Sequence, residues 1–227
     1  MRRTPPVPLP VPFSPRAARA HRAGLGLTPE QVADGMAAHG VRLLPAHVLA
    51  WESGALRPSE EEFVALARAL WCPPVRLMDA GPASLRDFRL ARELTPAETA
   101  RRIGVAPQVY ARAEAAGRWD APEEVGRALA HVLGVPLRTL VAVTGRQDAL
   151  ERLLRQVVDG RWQAQLAAVA RIVPASHDVL AEVLAALRDT YLVPAHWGAA
   201  PAVPARPQAP ADRFWELLAG WPGDVPV

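Results

Sequence analysis

The sequence contains no lysine, no asparagine, one cysteine, two tyrosines and two isoleucines. A lone cysteine, Cys72, cannot build a disulfide framework and fits a reducing compartment. Long apolar runs are also missing. Each hydrophobic stretch is soon interrupted by Arg, Pro or Gly, short of the roughly 20 residues that span a bilayer. The N-terminal MRRTPPVPLPVPF carries two arginines, but its prolines exclude the apolar helix of a signal peptide. Together these absences lead us to expect a soluble, cytoplasmic protein without a membrane partner. Catalytic signatures are missing too. The histidines at 21, 39, 47, 131, 177 and 196 share no metal-ligand spacing with Cys72 or with each other. There is no glycine-rich phosphate loop, nucleophile elbow or HExxH. Ser176-His177-Asp178 starts a helix, and adjacent residues cannot form a triad without tertiary partners. No enzyme activity, cofactor or metal is expected.

What the chain does have is arginine, alanine and proline. All 26 basic residues are arginine, alongside 24 prolines. The missing lysine and asparagine are those of a very GC-rich genome, so arginine as such says little about function and its placement says more. Residues 1–118 hold 16 arginines against 11 acids, whereas residues 119–227 hold 10 against 12. A mildly basic front half permits a polyanionic partner.

That front half is repeated. RAGLGLTPEQVADGM (22–36) and RLARELTPAETARRI (89–103) lie 67 residues apart and share Arg, then Leu-Thr-Pro. Thr28 and Thr95 are N-caps, Pro29 and Pro96 take the first helical position, and Gln31 and Glu98 complete capping boxes. Each repeat then offers a short helix, PAHVLAWE (45–52) or PQVYARAE (107–114), and a glycine turn. A last amphipathic helix follows, opened by Ser59 and Glu62 in the first copy and by Asp120 and Glu123 in the second. Phe63, Leu66, Ala67 and Leu70, and Leu129 and Leu133, form its buried stripes.

On these residues both units resemble the phage-repressor-like, Xre-type helix-turn-helix family. The matching positions are Arg22, Leu27-Thr28, Gly40-Val41, Trp51-Glu52, Gly54 and Pro58-Ser59. In the second copy they are Arg89, Leu94-Thr95, Gly104-Val105, Ala113-Glu114, Gly117, Pro122 and Leu133-Gly134-Val135. The resemblance covers roughly residues 15–143 and implies an all-α fold: two tandem repressor-like helix-turn-helix bundles followed by a C-terminal helical segment. It also implies that Trp51 packs into a small core and that Glu52 reaches back to the first-helix arginine. The expected structural pairs are Arg22–Glu52 and Arg89–Glu114. Proline stands at 29 and 96, where the family often has a phosphate-binding glutamine.

For function, the resemblance implies a transcriptional regulator that binds double-stranded DNA. A recognition helix meets the major groove with a few outward side chains. In the second copy these are Pro107, Gln108 and Arg112, where Gln suits adenine and Arg guanine. In the first copy the same positions are Pro45, Ala46 and Ala50, none with a side-chain hydrogen-bonding group. Arg42, His47 and Arg57 remain contact candidates there. Arg2-Arg3 can enter a minor groove, and Arg101-Arg102 can face phosphate or simply solvent. From Thr28 to Glu52 is 24 residues and from Thr95 to Glu114 is 19, so about five extra residues surround the first copy's turn.

Behind the repeats, apolar residues recur at helical spacing: Leu150, Leu153, Leu154 and Val157, then Trp162, Leu166, Val169 and Val173, then Leu180, Val183, Leu184, Leu187 and Tyr191. These stripes must bury against each other, the front domains or a second copy of the chain. The tandem repeat offers an alternative to a homodimer, because one chain can act as a pseudo-dimer. In ADRFWELLAGW (211–221), Phe214, Leu217, Leu218 and Trp221 share one face and Trp215 adds a second ring. That helix either docks on a protein partner or folds back on its own chain. The expected organisation is a disordered Pro-rich arm (1–13), helix-turn-helix domains (14–80 and 83–145), C-terminal helices (146–192), a Pro/Ala linker (193–210) and a tail helix (211–221). The alternative to a DNA-binding regulator is a protein-interaction adaptor on the same scaffold, docking through its helix-turn-helix surface or its tail.

Overall fold

The computed structural model describes residues 10–191 and 208–221. Among these residues the protein is all-α, with thirteen α-helices, one short 3-10 helix and no strand. The chain forms two compact units, one ending at Thr99 and the other beginning at Ala100. No single described helix is long and apolar enough to cross a membrane.

The first unit contains α1 (Pro15–Gly24), α2 (Pro29–Ala38), α3 (Pro45–Glu52), α4 (Glu60–Ala69), a 3-10 turn over Pro74–Leu77, and α5 (Leu85–Ala91). Helix starts follow local chemistry. Thr28 with Gln31, Ser59 with Glu62 and Ser84 with Asp87 close reciprocal capping boxes, each satisfying amides that a helix start leaves orphaned. The core gathers Val32, Met36, Trp51, Phe63 and Leu66 from three helices. Each such side chain contributes about 1.5–3 kcal/mol on burial.

Two expectations change here. Residues 10–13 are not part of a disordered arm, because Val11 and Phe13 are buried and Phe13 meets Phe63 edge-on at 6.3 Å. The alternation in VPF puts both apolar side chains on one side. The strand-like segment is then held by Arg57 donating to the Val11 carbonyl (3.2 Å) and by Ser14 N–H donating to Leu77 (2.8 Å). Arg2 and Arg3 lie outside the described residues. Nor does the chain divide between 80 and 83. The opening helix of the second repeat, α5, belongs to the first unit, where Glu60 accepts from Arg86 (2.5 Å) and Arg89 (2.8 Å) and Leu90 joins the core.

Helix α6 (Pro96–Arg102) carries the division. The second unit continues with α7 (Pro107–Ala116), α8 (Glu123–Leu133), α9 (Leu137–Val143), α10 (Gln147–Asp159), α11 (Trp162–Ala170), α12 (His177–Tyr191) and α13 (Pro210–Ala219). Helices α10 to α13 pack on one another through the expected stripes, with Leu154, Val157, Val169, Val183 and Leu187 inaccessible. Pro174 ends the α11 turn and presses against α8 so closely that a Cβ on Gly126 would lie 2.8 Å from its ring. The expected Asp120 cap is absent: Pro122 precedes α8, and no side chain caps it, because α8 starts one residue after the proline.

The tail helix folds back on its own unit. Phe214, Trp215 and Leu218 are buried against α10 and α12, and Leu217 and Trp221 are half-buried. Arg138 pairs with Asp212 at 2.7 Å, and the Tyr191 hydroxyl donates to the Gln208 carbonyl. Of the two outcomes open from sequence, docking on a partner or folding back, the apolar face takes the second. Residues 193–207 of the expected linker lie outside the described residues.

Candidate nucleic-acid interface

The two repeats share one local device, an arginine that donates to the carbonyl five residues on. In the first, Arg22 Nη1 donates to the Leu27 carbonyl (2.7 Å), while Nε and Nη2 grip the Glu52 carboxylate at 2.6 and 2.8 Å. This bidentate pair is largely sheltered from water, and the carboxylate holds the Arg22 guanidinium above its ordinary pKa. In the second, Arg89 is fully buried and makes the matching bond to Leu94 (2.9 Å). Its described carboxylate is Glu60. Glu114, the partner expected for Arg89, belongs to the second unit.

Helix–turn–helix pairs follow. Helix α2 ends with Gly40 in the left-handed region (φ 87°) and a Val41 N–H bond to Met36 O (3.1 Å). Helix α6 ends alike, with Gly104 (φ 74°) and Val105 N–H on Ala100 O (3.0 Å). Only a residue without Cβ enters that conformation at no cost, and the Val that follows returns the chain to the core. The turn is six residues in the first repeat and four in the second, and α2 has ten residues against seven in α6. The length difference seen in the sequence is thus three helical residues and two in the turn.

Both helices after the turn open on proline behind an apolar N-cap that makes no side-chain bond (α3 after Leu44, α7 after Ala106). Proline has no N–H to satisfy, and the His47 and Val109 amides turn back onto the Leu44 and Ala106 carbonyls (2.9 Å each), so only the Ala46 and Gln108 amides of the two starts lack a cap. The inner faces differ. Trp51 is buried on α3, whereas on α7 the equivalent residue is Ala113 and the buried ring is Tyr110. Trp119, from the loop beyond Gly117, fills the space with an edge-on contact to Tyr110 at 6.3 Å. The sequence reading missed Trp119. Its signal was an aromatic just after the glycine turn of a helix that has Ala113 where the first copy has Trp51.

No known protein family, curated protein or solved structure matches the chain. The outer faces must therefore be read from their own chemistry. On α7, Pro107, Gln108 and Arg112 are exposed, with Gln108 and Arg112 one turn apart. Arg101 and Arg102 precede the turn and Arg118 follows the helix, all exposed. Neither Arg112 nor any of these three has an ion-pair partner among the described residues. Arg118 was not singled out from sequence, though it follows Gly117 directly. On α3 the corresponding face is Ala46 and Ala50, with Leu49 exposed between them. Arg42 and His47 are exposed, His47 with Nδ1 3.2 Å from the Leu44 carbonyl. Arg57, expected as a phosphate contact, spends one N–H on Val11 and helps fix the N-terminal segment.

Proposed function

We propose that the protein is a sequence-specific, DNA-binding transcriptional regulator of the repressor-like helix-turn-helix kind, with base readout from α7. The observation that carries this reading is the exposed Gln108–Arg112 pair on one helix face, flanked by the unpaired arginines 101, 102 and 118. A glutamine and an arginine one turn apart present bidentate partners for adenine and guanine on adjacent steps of a major groove, each giving about 1–3 kcal/mol of discrimination. The flanking guanidinium groups supply phosphate contacts that fix register. Arginine suits that task through its planar fork and its permanent charge. The resemblance of the repeats to the Xre type supports the same reading. The paired half-sites usual for such regulators fit either a homodimer or the tandem repeat of one chain.

Selection from random duplex DNA, followed by a salt titration, tests the proposal. One enriched motif and a steep linear fall of log affinity with log salt are expected. Arg112→Ala should relax the preference at one base position, whereas Ala46→Gln should change little. Absence of any enriched motif at moderate salt refutes the reading.

A further inference from the structure

We propose that the outward face of α3 is a docking surface for an acidic amphipathic helix of a partner protein. Ala46, Leu49, Ala50 and Ser53 fall at i, i+3, i+4 and i+7 and face away from the core that holds Val48 and Trp51. Leu44 before the helix is 67% exposed, Leu49 is 52% and Leu56 after it is 50%. Leu56 is folded back onto the helix end by its N–H bond to the Ala50 carbonyl (3.1 Å). A single exposed leucine is ordinary; here Leu49 stands on the small-residue face itself, and two more exposed leucines lie in the segments that enter and leave the helix, so the face is apolar with room for close helix approach.

Charge selects the occupant. Beside Leu49 lies a shallow hollow walled by Arg19, Arg22, Glu52, Ser53 and Ala55. Both Glu52 oxygens are taken by Arg22, and the Ser53 hydroxyl donates to Ala50 O (3.0 Å). Arg19 is exposed and has no ion pair among the described residues, and Arg42 is likewise free at the other end of α3. An apolar strip between free cations, with its one carboxylate neutralised, complements apolar anchors flanked by Asp or Glu. A second copy of this chain would set arginine against arginine. Base pairs would find no hydrogen-bonding group at positions 46 and 50, unlike Gln108 and Arg112 on α7. The surface lies in the first unit and the proposed readout in the second, so either proposal can fail without the other.

The test is a display selection of random helical peptides on the full chain, counter-selected against the full-chain Leu49→Glu variant. Enriched peptides should combine apolar residues at i, i+3 or i+4 with an excess of Asp and Glu. They should lose about tenfold or more in affinity to L49E, as an anchor residue does. Arg19→Ala and Arg42→Ala should each weaken them about threefold and flatten the salt dependence. Circular dichroism melting verifies that L49E folds; if it does not, Ala46→Glu takes its place. Peptides that are neutral or basic, peptides indifferent to L49E, or no enrichment over L49E each overturn the proposal. So does a loss of duplex DNA affinity in L49E, which assigns the face to nucleic acid. A wild-type dimer that L49E converts to monomer in sedimentation equilibrium overturns it in favour of a second copy.

Discussion

Substituting Glu52 with alanine removes the carboxylate that holds Arg22 through two bonds at 2.6 and 2.8 Å. Breaking a fully buried pair by deleting one partner costs about 3–5 kcal/mol, because the remaining charge is stranded. Here Arg22 keeps 15% exposure of its side chain and its bond to Leu27, so part of that penalty is relieved by water and a carbonyl. We expect a loss of about 2–3 kcal/mol, which for a unit of this size lowers its melting midpoint by roughly 10–20 °C. Urea titration and thermal melting of E52A, R22A and the double variant give the coupling directly, expected at about 2 kcal/mol. The pair raises the Arg22 pKa, so its contribution on the arginine side is complete below the unfolded arginine value and is lost only as pH rises through the folded one. No Arg22 step should therefore appear in melting midpoints between pH 6 and 9. A cost for E52A below about 0.5 kcal/mol, or single-variant costs that add without coupling, refutes the reasoning.

Gly126→Ala forces a Cβ to 2.8 Å from the Pro174 ring, and since proline cannot rotate away, the second unit should lose about 1–3 kcal/mol by urea titration while the first is unchanged. Burial pushes the Cys72 thiol above its usual pKa, so the folded chain should react slowly with iodoacetamide at pH 8 and gain one fast thiol in denaturant. The sign of that shift also means that its stabilising share is present below the unfolded thiol's pKa and fades as pH rises through the folded one. Fast labelling of the folded protein would contradict the burial of Cys72.

Helix starts were the most legible part of the sequence. The Thr28, Ser59 and Thr95 capping boxes and the period-3.6 stripes of α4, α10 and α12 depend on neighbours within one or two turns, and they stand as read. What long-range contacts decide was not legible. Val11 and Phe13 look like any proline-interrupted arm until Phe63 is placed beside them. Trp71 and Glu93 hold left-handed backbone (φ 50° and 55°) where the other repeat has Gly134 and Gly26, so a glycine-based turn search passes over both positions. Of the candidate interface, Gln108 and Arg112 were visible as outward helix positions. The apolar character of the α3 face was visible only as an absence of polar groups, because Leu44, Leu49 and Leu56 read equally well as core residues. The tail helix read equally well as docked on a partner or folded back on its own chain, since amphipathicity shows that a face is buried and not by what.

The membership of α5 bears on how the protein can be dissected. Its sequence belongs to the second repeat, while its ion pairs to Glu60 and its Leu90 contact belong to the first. Sequence periodicity and cooperative folding are therefore out of phase. A gene fragment cut where the repeat begins, at residue 83, strips Arg86 and Arg89 of their Glu60 partner and removes Leu90 from its core. Cutting after residue 80 leaves the first half with Glu60 facing water. Neither product inherits a complete unit, so domain exchange or truncation that respects the repeat would cut through a hydrophobic core, and only a boundary beyond α5 keeps the first unit whole.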